Sequence, residues 1–210
     1  NNIDAILPFI EGYLTANGAH CMVGNEVVYH CPIPKCDVEL ILNDATEQDY
    51  SCVVVGETAI GTFNYKDNID RIYRRTLDIH GVDYHLSIDE LMQNDILELT
   101  PFATVEQEQM LMPRIPNCVS ARWHPEFMDV TSRMADKGRG LTAIAQHLGI
   151  SLEDCAAFGD GGNDISMIRA AGVGVAMGNA GDDVKQAADL VTTHIDEDGI
   201  MHAMQHLGIV

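Results

Sequence analysis

The residues around Asp160 constrain this chain more than any other segment, because they join an apolar strand, a glycine-rich turn and a helix. The apolar run 155–158 precedes the turn, and the helix-like run 165–171 follows it. Open α/β sheets bind ligands at turns of this kind, which lie at the carboxyl ends of their strands. The alternative interpretation is a polar turn in which an Asn-Asp pair only caps the helix.

This turn carries two carboxylates, Asp160 and Asp164, separated by two glycines and Asn163. Crowded carboxylates repel each other unless a cation lies between them, and Mg²⁺ suits them because it takes hard oxygen ligands and often shares a substrate phosphate. The N–H groups at the start of the following helix favour an anion. We therefore predict Asp160 as a metal ligand and Asn163 as a phosphate contact. Asp164 is expected to bind the metal directly, to bind it through water, or to hold another ligand in place.

Lys137 is a further candidate because it begins a helix in the run Asp136-Lys137-Gly138. A cation is mildly unfavourable at a helix N-terminus, so a nearby carboxylate or a bound phosphate would compensate it. The alternative is an ordinary solvated lysine, and only the Asp160 turn makes the functional interpretation attractive.

The pattern of elements divides the chain in two. From Lys137 onward helices and strands alternate, which favours a parallel sheet covered on both faces. Pro32 and Pro34 mark a boundary, after which a mixed α+β block begins. We predict one domain from residues 1–32 and 132–210, and a second, inserted domain over 33–131.

Within these domains, capping residues, apolar periodicity and turn residues predict the individual elements. We expect a core strand over 13–16 with an exit turn at Asn17-Gly18, and a hairpin partner for it over 26–29. The other strands are expected over 52–55, 58–63, 96–99, 119–123, 127–131, 155–158, 173–177 and 190–192. Asp37 is expected to cap a helix with Val38, Ile41, Leu42 and Ala45 on its apolar face. Asp67 is expected to cap a helix up to Gly81, and the other helices are expected over 88–92, 104–111, 137–148 (ended by Gly149), 164–171 and 182–188.

Composition limits the partners. The chain has 210 residues, with 12 Lys and Arg against 32 Asp and Glu, for a formal charge of -20. Such a chain repels nucleic acid and anionic membrane surfaces, so we expect neither as a partner. The sequence shows no long apolar run and no signal peptide, and its six cysteines form no disulfide-type framework. Reduced thiols and a cytoplasmic location are expected.

Two weaker patterns are set aside. His20-Cys21, His30-Cys31 and Cys36 match no zinc-binding spacing, so no soft-metal site is predicted. The glycines of 172–178 precede and occupy a strand instead of following one, so a dinucleotide site is not predicted either.

Taken together, the motifs resemble those of haloacid-dehalogenase-superfamily phosphatases of the Cof type, and bacterial hexose-phosphate phosphatases in particular. The resemblance covers essentially the whole chain and rests on Asp136-Lys137-Gly138, residues 158–167, 171–180, 187–192 and 197–200, and Asn17-Gly18-Ala19. It implies an α/β fold with a Rossmann-like core built on a parallel sheet, and an inserted α+β cap over 33–131.

The resemblance also implies a mechanism. In this family an Asp attacks the phosphoryl group to form an aspartyl-phosphate, a second Asp acts as general acid and base, and Mg²⁺ and a Lys neutralise charge. Lys137 then corresponds to that lysine, Asp160 to the metal ligand, and Asp164 to its neighbour at the metal, which orients the lysine or the metal shell. Phosphate-binding roles fall to Asn163 and Lys137, and to Asn17 and Gly18. The expected substrates are phosphate monoesters of small metabolites.

One family motif is absent. No Asp-x-Asp-Gly-Thr sequence occurs in residues 1–210, and the Asp196-Glu197-Asp198-Gly199 run has Ile200 where Thr is needed. We expect the nucleophile motif to lie upstream of residue 1. Two alternatives stay open, namely a phosphomutase of the same fold, and a metabolite-binding module without catalysis if the chain is complete.

Overall fold

The computed structural model describes residues 7–79 and 81–210. The chain forms two compact units. The first unit takes in the residues up to His30 together with Asp136–Val210, and the inserted unit is Cys31–Ala135. The sequence-based boundaries at 33 and 131 differ from the ends of the inserted unit by two residues (33 − 31) and by four (135 − 131).

The first unit begins with a small antiparallel sheet in which β2 is central and pairs with both neighbours. Its strands are β1 (Gly12–Thr15), β2 (His20–Val23) and β3 (Glu26–His30). The prediction that 26–29 pairs with 13–16 is therefore wrong. Gly24, at φ 56, and Asn25 make a two-residue hairpin turn between β2 and β3, a strong pairing signal that the sequence analysis overlooked.

The inserted unit is a six-stranded sheet in the order β6-β5-β4-β7-β9-β8, antiparallel except where β5 meets β6. Its strands are β4 (Cys52–Gly56), β5 (Ile60–Phe63), β6 (Val82–Asp83), β7 (Ile96–Pro101), β8 (Cys118–His124) and β9 (Phe127–Ser132). Its helices are α1 (Lys35–Glu47), α2 (Asp67–Ile69, continued by a π-helical segment, Asp70–Thr76), α3 (Ile88–Leu91) and α4 (Val105–Leu111).

Alternate residues of β4 explain why this sheet is buried on both faces. Cys52 and Val54 pack in the hydrophobic cluster that includes α1, whereas Val53 packs with Ile72 of the π-helical segment. Successive side chains of a strand point to opposite faces, so one continuous apolar strand supports two clusters. The predicted apolar face of α1 is confirmed, since Val38, Ile41, Leu42 and Ala45 are all buried.

The first unit then resumes with α5 (Lys137–Leu148), which ends at Gly149 as predicted. Gly149 is in the left-handed conformation, which glycine adopts without strain. Helices and strands alternate after it, and β10, β11 and β12 form a parallel sheet in that order. The elements are β10 (Ala156–Gly159), α6 (Ile165–Ala170), β11 (Val173–Ala176), α7 (Asp182–Ala187), β12 (Leu190–Val191) and α8 (Gly199–His206). The helix α8 was not predicted.

Two further predictions concern membrane-spanning helices and the state of the cysteines. Among the described helices, none is both long enough and apolar enough to pass through a bilayer. All six cysteines are free thiols.

Candidate active site

The turn after β10 is closed by the side chain of Asp164. The Oδ2 atom of Asp164 accepts hydrogen bonds from the backbone N–H groups of Asp160 and Gly161, each at 3.0 Å. A side chain at Gly159 could not fit, because a Cβ there would lie 2.3 Å from the Cβ of Asp164. The glycine and the aspartate therefore give the turn one defined shape.

Lys137 meets this turn through a short ion pair. Its Nζ atom lies 2.6 Å from Oδ1 of Asp164, and the two side chains are 24% and 8% exposed. Burial by itself raises the pKa of Asp164, but the hydrogen bond and charge of Lys137, with the two backbone N–H groups, hold this pKa below its usual value. Of the two compensating groups expected for Lys137, a carboxylate or a bound phosphate, Asp164 supplies the carboxylate.

Asp160 is exposed and is oriented by a residue that the sequence analysis did not single out. Its Oδ2 atom accepts a hydrogen bond from Nδ2 of Asn179 at 2.8 Å, and Oδ1 of Asn179 accepts one from the backbone of Ile195 at 3.2 Å. Asn179 follows β11, the strand beside β10 in the parallel sheet. Polar residues that follow adjacent parallel strands meet at one edge of the sheet, and this signal could have identified Asn179.

The turn between β1 and β2 supplies the remaining candidates. Asn163 donates a hydrogen bond from Nδ2 to Oδ1 of Asn17 at 2.7 Å. Asn17 and Gly18 both have positive φ angles, 54° and 91°. Gly18 lies directly against the backbone of Asp136, the residue before Lys137. The structure thus brings the Asn17 turn, Lys137 and the Asp160 turn together within the first unit.

The close approach at Gly18 leads to a stability prediction. A Cβ at Gly18 would lie 2.5 Å from the carbonyl oxygen of Asp136, whereas one at Gly24 would meet nothing within 4 Å. Both glycines have positive φ, so the strain of the left-handed region is common to both changes. We expect Gly18→Ala to lower the free energy of unfolding by about 2–4 kcal/mol, and Gly24→Ala by about 1–2 kcal/mol. Denaturant unfolding followed by circular dichroism measures both, and equal losses would contradict the described packing.

The donor set fits a hard cation at Asp160. One carboxylate oxygen of Asp160 is held by Asn179, and the other accepts no hydrogen bond from the described residues. An exposed carboxylate with a free oxygen is the kind of ligand that Mg²⁺ takes. By contrast, both oxygens of Asp164 already accept hydrogen bonds, from Lys137 and from two N–H groups. Of the three roles left open for Asp164, this geometry favours holding Lys137 and the turn in place.

Comparison with known proteins places this chain in a family. A family model described as haloacid dehalogenase-like hydrolase matches residues 2–204. The chain belongs to this family. Over 208 residues it is 31% identical to the Bacillus subtilis protein named Putative phosphatase YkrA, a match that covers 96% of this chain and 77% of YkrA.

Solved structures agree with this membership. The structure of the haloacid dehalogenase subclass IIB sugar phosphatase BT4131 is 42% identical, with a TM-score of 0.89, and the match covers 100% of this chain and 81% of that one. The phosphatase BT1666 from Bacteroides thetaiotaomicron is 29% identical, with a TM-score of 0.85 over 100% of this chain and 78% of that one.

These relatives confirm the expected fold class, an α/β core of Rossmann type with an inserted α+β cap. They also show the enzyme class at a coarse level, since the chain is a phosphatase of the haloacid dehalogenase family. The site around Lys137 and Asp160 lies within the residues that the family model matches.

Proposed function

We propose that this protein is a Mg²⁺-dependent phosphatase that hydrolyses phosphate monoesters of small metabolites, with hexose phosphates as the substrate class. One observation carries the proposal: Lys137 is paired with Asp164 in the same turn that presents the exposed carboxylate of Asp160. The similarity to the sugar phosphatase BT4131 supports the sugar substrate. The formal charge of the chain, -20, supports a small-molecule substrate rather than a nucleic acid or membrane partner. We also propose a cytoplasmic location.

In this proposal Asp160 holds the metal through the carboxylate oxygen that Asn179 leaves open. Bound Mg²⁺ supplies positive charge beside the phosphate, where negative charge shifts during phosphoryl transfer. Asp164 acts through its hydrogen bonds, because it aligns the backbone of Asp160 and the ammonium group of Lys137 at once. If Asp164 also coordinated the metal, directly or through water, one of its carboxylate oxygens would have to contact the metal or its water while still accepting a hydrogen bond from Lys137 or the backbone.

The phosphate itself is proposed to bind to Lys137 and to the polar groups beside it. The ammonium group of Lys137 has two further N–H donors besides the one directed at Asp164. Asn163 and Asn17 are hydrogen-bonded to each other through one N–H, which leaves each side chain with a further donor for phosphate oxygens. Gly18 adds a backbone position without a side chain, close to the start of α5.

The chemical step is hydrolysis through an aspartyl-phosphate, as the resemblance to the family implies. We assign the attacking carboxylate to no residue between 1 and 210, because no Asp-x-Asp-Gly-Thr sequence occurs there. What this chain contributes is the positive charge and the hydrogen-bond donors that hold the phosphate in place during attack, which are the main requirements of phosphoryl transfer.

A panel of phosphorylated metabolites tests this proposal. The intact native protein is incubated with hexose, pentose and triose phosphates, nucleotides and an aryl phosphate, and released inorganic phosphate is measured with Mg²⁺ and with chelator. We expect hexose phosphates to give the highest kcat/KM, and chelator to abolish release. Transfer of phosphate to a second position of the sugar, without release, would instead identify a phosphomutase. Saturable binding of sugar phosphates without turnover would identify a binding module.

Asn179 gives a prediction specific to the metal. Replacing it with Ala frees the Asp160 carboxylate to rotate, so the Mg²⁺ concentration for half-maximal activity should rise about 10–100-fold. The turnover number at saturating Mg²⁺ should change much less. Gln186→Ala, an exposed carboxamide on α7, is the matched control and should leave the Mg²⁺ requirement unchanged. A fall in turnover with an unchanged Mg²⁺ requirement would remove Asn179 from the metal site.

A further inference from the structure

Two histidines that lie ten positions apart in the sequence meet on the small antiparallel sheet of the first unit. His20 at the start of β2 is directly opposite His30 at the end of β3. Their Nδ1 atoms are 3.1 Å apart, and the ring centroids are 5.4 Å apart with the planes at 86°. Both side chains are half-buried. In neutral imidazoles one Nδ1 of such a pair must carry the proton and the other must accept it.

The neighbouring thiol is not part of this cluster. Cys21 is fully buried, and its Sγ atom is directed at the carbonyl oxygen of Gly18, 3.6 Å away. Successive side chains of a strand point to opposite faces, so the Cys21 thiol lies on the other face of β2 from His20. At this pair the sheet therefore offers two imidazole nitrogens and no thiolate.

We propose that His20 and His30 form a transition-metal site of the Ni²⁺ and Cu²⁺ class, separate from the Mg²⁺ site. Two metal–imidazole bonds of about 2.0–2.1 Å that span the 3.1 Å between the Nδ1 atoms give an angle of about 95–102° at the metal. This is close to the angle between neighbouring ligands in the tetragonal N,O geometry of Cu²⁺ and Ni²⁺, with water completing the shell. On binding, the ring that carried its proton on Nδ1 loses that proton to solvent and takes one up on Nε2. Both neutral rings then carry their hydrogen on Nε2, and no net proton is released.

Ligand chemistry separates this site from the one at Asp160. Imidazole nitrogen suits Ni²⁺ and Cu²⁺, whereas Mg²⁺ prefers carboxylate and water oxygens. The strong negative charge of the chain raises the local concentration of any cation and so favours binding. The two strands are already hydrogen-bonded to each other, so the ligands are pre-oriented before the metal arrives.

Ni²⁺ titration of the untagged chain tests the proposal, because Ni²⁺ avoids the thiol oxidation that Cu²⁺ causes. Isothermal calorimetry in a weakly coordinating buffer, with Mg²⁺ in large excess to occupy carboxylate sites, should give one Ni²⁺ per chain. His20→Gln and His30→Gln keep a hydrogen-bonding side chain but remove the imidazole. Each variant should weaken binding at least about tenfold, a loss of about 1.4 kcal/mol. His85→Gln, an exposed histidine in the turn before α3, is the matched control and should bind as the unaltered chain does.

Circular dichroism of each variant without metal establishes that it is folded. Ni²⁺ should also raise the thermal midpoint of the unaltered chain, since a ligand bound only by the folded state stabilises it, and it should not do so for His20→Gln. Absence of saturable Ni²⁺ binding, or binding that both variants retain, would show that the pair is only a hydrogen bond between two imidazoles.

Discussion

Replacing Lys137 with Ala should lower the turnover number on a hexose phosphate by about 100–1,000-fold, as removal of a charge-stabilising donor does in other enzymes. The reason is that the Lys137 ammonium faces charge that shifts during phosphoryl transfer, so it stabilises the transition state more than bound substrate. The KM should therefore change less than the turnover number. Steady-state release of phosphate by the intact protein at saturating Mg²⁺ measures both quantities.

Lys185→Ala provides the matched control for this change. Lys185 lies on α7 in the same unit, and it makes no ion pair with a described residue. Its loss should leave turnover within about twofold of the unaltered enzyme, because this half-buried lysine makes none of the described hydrogen bonds of the site. A Lys137→Ala enzyme with an unchanged turnover number would contradict the proposed role of the ion pair with Asp164.

Replacing Asp160 with Asn should abolish the activation by Mg²⁺ and reduce turnover on the order of a thousandfold or more, because metal stabilisation of the transferring phosphate provides several kcal/mol. The amide preserves the size of the side chain, and its oxygen can still accept the hydrogen bond from Asn179. The fold should therefore be retained. Activity across a Mg²⁺ titration, together with circular dichroism, measures the two effects separately.

The control for Asp160 lies at the other end of the same strand. Asp154 is an exposed carboxylate in the short turn before β10, whereas Asp160 follows β10. Asp154→Asn removes the same formal charge and should leave the Mg²⁺ response intact. If both variants lost activity to the same extent, the net negative charge, and not a ligand at Asp160, would account for the metal requirement.

The local parts of the site were predictable because their signals lie within a few residues. The apolar periodicity of α5 and Gly149 at its end predicted the helix that presents Lys137. The sequence around Asp160 predicted a turn between a strand and a helix. Both signals depend on backbone preferences and on glycine, which act over short distances along the chain.

The contacts between distant segments were not predictable in the same way. Asn179 and Asp160 meet because β10 and β11 are parallel neighbours, and the ion pair joins residues 27 positions apart. The pairing of β2 with β3 is a different case, because Gly24-Asn25 lies directly between the two strands and could have predicted it. Without that pairing, the sequence analysis judged His20 and His30 by their spacing alone and set them aside.

The inserted unit shows how tertiary packing overrides a correct periodicity. The apolar residues after Asp67 predicted one regular helix up to Gly81, and this is wrong. Three helical residues are followed by a π-helical segment, Asp70–Thr76, which buries Ile72 and Tyr73 against the sheet. Asp67 is the first residue of the helix and not its cap. Periodicity identified the apolar face but could not specify the winding of the backbone.

The position of the metal tests the central claim most directly. Crystals of the intact protein grown with Mn²⁺ in place of Mg²⁺ can be measured for anomalous scattering, which locates the metal without assumptions about its ligands. The account predicts an anomalous peak in contact with the Asp160 carboxylate, on the oxygen that Asn179 leaves open, and no such peak in Asp160→Asn crystals. A Mn²⁺ peak away from Asp160, or one that persists in the Asn variant, would contradict the account.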